Sequence, residues 1–138
     1  KSYNDRFGHI FGDQCLRQVA SVLTAQSRRA ADVAARYGGE EFAMVLPETT
    51  AEGAARLAEA VREAVEALAI PHPVSPVARV VTVSIGIATR TPVAGQPPSS
   101  LITHADKALY RAKRAGRNRV EAALVAAPLN LDLSRGVA

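Results

Sequence analysis

The chain has 138 residues, 48% hydrophobic and 22% charged, enough to enclose one core and too apolar for a disordered tail or a fibre. Lys and Arg outnumber Asp and Glu by 17 to 13, and the net charge of +4 favours anionic partners such as nucleotides without requiring a nucleic acid. Cys15, the single cysteine, excludes an intrachain disulfide and a cysteine-based zinc site and fits a reducing cytoplasm.

No apolar stretch approaches the roughly 20 residues of a membrane span, and Lys1 opens the chain without an initiator Met or a signal-like segment, so the chain reads as a piece of something longer. From Gly12 to Ser27, apolar residues recur at Leu16, Val19, Ala20 and Leu23, which predicts a helix starting near Asp13. "DVAARY" and "FAMVLP" flank Gly38 and Gly39 and predict a hairpin with a glycine-dependent tight turn. Thr49-x-x-Glu52 has the form of a capping box ahead of Leu57, Val61, Val65 and Leu68, and predicts a second helix over about residues 50 to 68, stopped by "PHPVSP". Residues 80 to 88 alternate as a strand whose second face is also apolar, which suits a central position. After the loop "TPVAGQPPSS", Ser99 or Ser100 is expected to cap a third helix through Ala105, Ala108, Leu109 and Ala112 that ends at Gly116, and "NRV" forms a short last strand. The order helix, two strands, helix, strand, helix, strand predicts one sheet covered by helices, an α+β sandwich, with no internal repeat.

Read alone, "GGEE" in a turn is a solvated hairpin loop, because turns collect glycine and charge for unrelated reasons. Here "RYGGEEF" at Arg36 to Phe42 stands between "KSYNDRFGHIFGD" at Lys1 to Asp13 and "ADKALYRAKRAGRNRV" at Ala105 to Val120. Together these three blocks resemble the GGDEF domain of diguanylate cyclases, in its GGEEF spelling. The resemblance covers Lys1 to about Val120, with residues 1–122 expected as the domain and 123–138 as a C-terminal tail foreign to the family.

The resemblance implies a nucleotidyl-cyclase-like, ferredoxin-like α+β sandwich with a central, mostly antiparallel sheet. It implies a bacterial transferase of second-messenger signalling that condenses two GTP into cyclic di-GMP and pyrophosphate across a homodimer, with Mg2+ or Mn2+ as cofactor. Hard magnesium takes carboxylate oxygen, and glycines at 38 and 39 let the backbone approach a phosphate-bearing ligand. By resemblance Glu40 is the metal ligand and Glu41 acts at the attacking hydroxyl. Asn4 and Asp13 match the guanine-reading residues, whereas without the family Asn4 and Asp5 read as a turn and Asp13 as a helix N-cap. Lys1, Lys113 and Arg117 match triphosphate-holding positions; otherwise the latter two are a solvated basic helix end, or with their neighbours a nucleic-acid patch that no aromatic interleaving supports.

"RAAD", Arg29 to Asp32, resembles the family's inhibitory product site, with Arg28 adjacent. Arg56 and Arg62 are secondary candidates whose ordinary reading is a solvated helix face. His72 and His104 have no partner at metal-ligand spacing, and His9 matches a loop-shaping position in the first block. The family precedes Lys1 with a helix and a strand that ends in a metal-binding aspartate, so these 138 residues by themselves are expected to lack the central strand and one metal carboxylate. A sensory or regulatory domain is expected upstream, with the domain cytoplasmic either alone or as part of a membrane-bound protein. The rival reading from another class is a non-catalytic module that binds cyclic di-GMP or only dimerises.

Overall fold

The computed structural model describes residues 2–123; Lys1 and residues 124–138 of the expected tail lie outside the described residues. The elements in order are α1 (Ser2–Phe7), α2 (His9–Gln26), β1 (Val33–Gly38), β2 (Glu41–Val45), α3 (Ala51–Ala67), β3 (Ile85–Ile87), α4 (Ser99–Arg114) and β4 (Val120–Ala122).

The first block is helical where a turn at Asn4 and Asp5 was the bare reading. Gly8, at φ +83°, separates α1 from α2, and its N–H donates to the Asn4 carbonyl at 2.8 Å. That left-handed position suits glycine, which has no Cβ to clash there. Because α2 begins at His9, Asp13 lies inside the helix and is not its N-cap. Tyr3 stacks on Phe7 at 4.8 Å between ring centroids and meets the His72 ring edge-on at 5.2 Å, docking α1 against the loop after α3.

The buried stripe of α2, with Gly12, Cys15, Val19 and Leu23, has the predicted helical spacing. Burial pushes the Cys15 thiol above its ordinary value, so it serves packing rather than reactivity. Val19 and Leu23 meet Val61 and Val65 of α3 in one core cluster, joined by Ala34, Phe42, Met44, Val83 and Ile85 from the strand side. Val65 is fully enclosed, a burial of the order of 1.5–3 kcal/mol for a side chain of its class. The N-cap of α3 is Thr50, whose hydroxyl accepts from the Gly53 N–H at 3.1 Å, one residue beyond the predicted Thr49. Thr49 is diverted, since its hydroxyl donates to the Pro47 carbonyl and accepts from Arg29.

β1 and β2 form the predicted antiparallel hairpin, with a register shift between Arg36 and Gly38. Of the strand expected over 80–88, only Ile85–Ile87 is laddered, in parallel with β4. Val80 bridges Pro71, and residues 81–84 have no ladder partner among the described residues. The described strands thus make two two-stranded sheets where one was expected, and no described strand joins them.

Since side chains alternate across a strand, Val83 and Ile85 face the α2–α3 core while Gly86 faces the other way. There the α4 backbone at Ala105 and Leu109 comes so close that a Cβ on Gly86 would collide with it. This explains the two apolar faces read from the sequence: α3 covers one and α4 the other. Helix α4 does not use the expected serine cap. Its N-cap position is Pro98, already at helical φ and ψ, and the Ser100 hydroxyl instead accepts from Arg90 at 3.0 Å. No helix among the described residues is long and apolar enough to cross a membrane.

Candidate functional site

The tight turn of the hairpin is Gly39 and Glu40, with Gly38 paired to Glu41. Gly39 takes φ +47°, the left-handed geometry a two-residue loop demands. Arg36 braces this turn: its Nε and Nη2 donate to the Gly39 carbonyl at 2.8 and 2.5 Å. Both carboxylates, Glu40 and Glu41, are exposed at the tip. Lys113, in the last turn of α4, brings its Nζ to 3.8 Å from Glu41 Oε1. Residues 72 positions apart in sequence therefore meet at one point, and the side chains keep 47% and 55% exposure, open to a ligand.

The first block reaches the same region from α2. Asn4 lies with its amide oxygen directly over Gly12, where any Cβ would collide with it, so this close approach of α1 to α2 requires glycine at position 12. Asp13 then lines a cleft of about 260 Å³ between α2 and the hairpin, together with Leu16, Arg17, Arg36 and Phe42. Arg36 thus belongs both to the cleft wall and to the turn that carries Glu40. Arg117 stands on the bend after α4 at φ +62°, four residues past Lys113. The structure brings Glu41 to Lys113, packs Asn4 against Gly12, and sets Asp13 and the hairpin on one cleft; Arg117 lies on the bend that follows α4.

Arg17 and Arg36 were not singled out in the sequence. Arg17 had a signal, because it follows Asp13 at the four-residue spacing that shares a helix face. Arg36 lies inside the quoted "RYGGEEF" block.

For a divalent cation, the described residues contain no group of three or more His, Cys, Asp or Glu side chains arranged to hold one. Magnesium commonly keeps several waters and binds through one or two carboxylates plus substrate phosphates, so a pair of carboxylates at an open tip fits it as a partner of a bound phosphate rather than as a self-contained cage.

A second constellation lies at the other end of β1. Arg29 donates from Nε and Nη2 to Asp32 Oδ1 at 3.1 and 2.9 Å, and the Arg29 backbone N–H donates to Oδ2 at 3.1 Å. The guanidinium also reaches the Thr49 hydroxyl and, at 3.5 Å, the Glu48 carbonyl. Asp32 is 4% exposed in its side chain and Arg29 49%, so the carboxylate is enclosed and the guanidinium half open. The hydrogen bonds from the Arg29 side chain, before any other cause, hold the Asp32 carboxyl below the usual carboxylate range. Such a lowered group stabilises the fold above its unfolded value, and this contribution is lost as pH falls through the lowered folded value. Arg28, Arg29, Asp32, Leu46 and Leu57 line a separate cleft of about 230 Å³.

Arg62 departs from the expected solvated face. Its side chain is 14% exposed and engages Glu59 at 2.6 Å and Glu66 at 2.7 Å. Arg56 is exposed, as expected.

Residues 1–119 match the family described as the diguanylate cyclase GGDEF domain. Diguanylate cyclase A of Treponema denticola is 42% identical over 120 residues, 87% of this chain and 31% of that protein. Response regulator PleD of Caulobacter vibrioides is 41% identical over 120 residues, 87% of this chain and 26% of that protein. The chain thus spans about a third or less of the length of these relatives. Among solved structures, the GGDEF domain of DgcB from Caulobacter crescentus in complex with c-di-GMP superposes with a TM-score of 0.76 at 42% identity, covering 88% of this chain and 70% of that one. The active GGEEF domain of a diguanylate cyclase from Vibrio cholerae does so with a TM-score of 0.72 at 31% identity, covering 89% and 75%. With a family match over residues 1–119 and the nucleotidyl-cyclase-like fold of those structures, the chain belongs to the diguanylate cyclase GGDEF domain family.

Proposed function

We propose that this domain condenses two GTP molecules into cyclic di-GMP, working as a homodimer with one GTP on each copy, in the cytoplasm and under an upstream regulatory domain. The observation that carries the reading is the meeting of Glu41 and Lys113 at 3.8 Å, on the hairpin tip next to the cleft lined by Asp13. A carboxylate and an ammonium placed side by side suit a reaction in which a hydroxyl loses a proton while phosphate charge is held.

In each half-reaction the 3′-hydroxyl of one GTP attacks the α-phosphorus of the other. A phosphodiester bond forms, the bond to the β-phosphate breaks, and pyrophosphate and the hydroxyl proton leave. Glu41 takes the role of acceptor at the attacking hydroxyl. Glu40, with Glu41 beside it, would hold the Mg2+ or Mn2+, which when bound supplies neutralisation of phosphate charge and polarisation of phosphorus. Lys113, Arg117 and Lys1 bind the triphosphate, the arginine through a planar fork suited to phosphate oxygens and the lysines as point charges.

Asn4 and Asp13 read guanine, the carboxylate accepting from the 2-amino group that adenine lacks. Gly38 and Gly39 keep the turn free of bulk where the phosphates approach. The Arg29–Asp32 cleft is the product's inhibitory site, and cyclic di-GMP bound there restrains the domain without filling the catalytic cleft.

The deciding experiment incubates the full-length protein with GTP and magnesium and separates the products by chromatography. Cyclic di-GMP should appear, and chelation of the metal should stop it. Unchanged GTP, or linear hydrolysis products alone, would sink the reading. A second prediction concerns selectivity: Asn4→Ala and Asp13→Ala should each weaken discrimination of GTP over ATP, on the order of 1–3 kcal/mol per lost contact in a partly enclosed site. Competition binding with the two nucleotides measures this, and selectivity equal to that of the unmodified protein would remove both residues from the base site.

A further inference from the structure

Arg62, Glu66 and Asn118 close a ring of hydrogen bonds between α3 and the bend after α4. Arg62 Nη1 donates to Glu66 Oε2 at 2.7 Å and to Asn118 Oδ1 at 3.1 Å, and Asn118 Nδ2 donates to Glu66 Oε1 at 3.1 Å. Each of the three groups touches the other two. The orientation of the amide is fixed by chemistry: reversed, its NH₂ would face the guanidinium and its oxygen the carboxylate, two repulsions in place of two bonds. Arg62 also binds Glu59 at 2.6 Å, and these bonds raise its affinity for its proton, so the cation is permanent. The ring is not an exposed surface pair of the kind that contributes little, because the Arg62 side chain is 14% exposed and Asn118 is half-buried.

The bend it grips is strained. Gly116, Arg117 and Asn118 take φ of +109°, +62° and +44° in succession, and the last two are not glycine. Such a run is disfavoured for L-residues and persists where its surroundings over-determine it. On one side the Arg117 N–H donates to the Ala112 carbonyl at 3.0 Å; on the other the Arg119 carbonyl accepts from the Ile85 N–H at 2.9 Å. Between these two backbone anchors, the side-chain hold on the bend from another element comes from the ring through Asn118. The α4 helix is already seated on β3 by its close approach to Gly86, which places Lys113. The direction of Arg117 is set by the bend instead.

We propose that Arg62, Glu66 and Asn118 are positioning residues that lock the bend so that Arg117 points at the polyphosphate of the nucleotide. The role rests on the GTP reading given above. It predicts an effect on phosphate binding that leaves base recognition alone, because Asn4 and Asp13 lie on α1 and α2, and the ring joins α3 to the bend without either of them.

The test uses the full-length protein with Arg62→Ala and, separately, Asn118→Gly. The second variant keeps a residue at ease with positive φ and leaves no new charge uncompensated, so it folds even where the first does not. Affinity is measured for a non-reactive α,β-methylene GTP and for GMP, which has the base and lacks the outer phosphates. Amide hydrogen exchange is followed over Gly116–Val120. We expect affinity for the GTP analogue to fall about tenfold, the worth of one charge-assisted phosphate contact, while GMP affinity stays unchanged and exchange in the bend speeds up. A GTP-analogue affinity equal to that of the unmodified protein would overturn the proposal, and so would a parallel loss for GMP, which would mark a general loss of structure. If the unmodified protein binds neither nucleotide, the GTP reading itself fails and takes the positioning role with it. Faster exchange in the variants would then show that the ring is only a structural lock.

Discussion

Replacing Glu41 by Gln should lower the rate of cyclic di-GMP formation by at least about a hundredfold, and up to about 10⁴-fold, the range associated with a positioned proton acceptor. GTP affinity should hardly change. The substitution keeps the side chain's size and removes only its charge, at a position where the charge contributes little to folding: the pair with Lys113 is 3.8 Å long and both partners are about half exposed. Exposed pairs of that kind are worth about 0–1 kcal/mol. Removing the carboxylate also releases Lys113 from an acidic neighbour on the hairpin, which favours an incoming phosphate rather than opposing it. The effect should therefore fall on kcat with KM nearly constant, the pattern of an interaction made in the transition state. Steady-state kinetics together with binding of the α,β-methylene analogue separates the two terms. Loss of binding in step with loss of turnover would mean that Glu41 holds substrate or structure instead.

The elements were legible in the sequence where one face or one turn carried the signal. The stripe of Val19 and Leu23, the apolar run of α3 and the paired glycines of the hairpin each specify their element through spacing that only one secondary structure satisfies. Boundaries were less legible where two residues compete for one job. Thr49 and Thr50 are both acceptable caps, and the choice is made by Arg29, 20 residues away, which engages the Thr49 hydroxyl. Gly8 gave no sign in advance that it would split the first block into two helices, because a lone glycine is compatible with a turn, a cap or a helix interior. Ladder extent was not legible at all. Residues 80–88 carry strand alternation throughout, but hydrogen bonding needs a partner, and among the described residues β4 offers one to three positions only.

The candidate site divides in the same way. Its residue types were visible in the three sequence blocks, whereas the Glu41–Lys113 pair at 3.8 Å is seen in the structure alone. What supports those residues was not visible. Gly12 under Asn4, Arg36 on the Gly39 carbonyl and the ring around Arg62 are contacts between groups whose pairing depends on how elements pack, and each of these residues has an ordinary reading on its own.

Replacing Arg29 by Ala should reduce affinity for cyclic di-GMP by about a hundredfold or more and relieve product inhibition, with the initial rate near that of the unmodified protein. On the proposed reading the guanidinium would present charge-assisted donors to the bound product, each worth about 1.5–3 kcal/mol, and the loss of one or two such contacts corresponds to that change in affinity. The initial rate is insulated because the Arg29–Asp32 cleft stands at the far end of β1 from the turn, six residues or about 20 Å of extended chain away. One structural consequence has to be separated from the binding effect. Asp32 is 4% exposed and takes three hydrogen bonds from Arg29, so Arg29→Ala alone leaves an enclosed carboxylate without its cation and should destabilise the loop. Adding Asp32→Asn removes that charge. If the double variant regains thermal stability and still fails to bind cyclic di-GMP by calorimetry, the loss is one of recognition and not of folding. Tight product binding that survives both substitutions would refute the inhibitory-site assignment. Binding abolished by Arg29→Ala in a full-length protein that shows no turnover of GTP would instead make this domain a receptor for cyclic di-GMP, with the Arg29–Asp32 cleft as its working site.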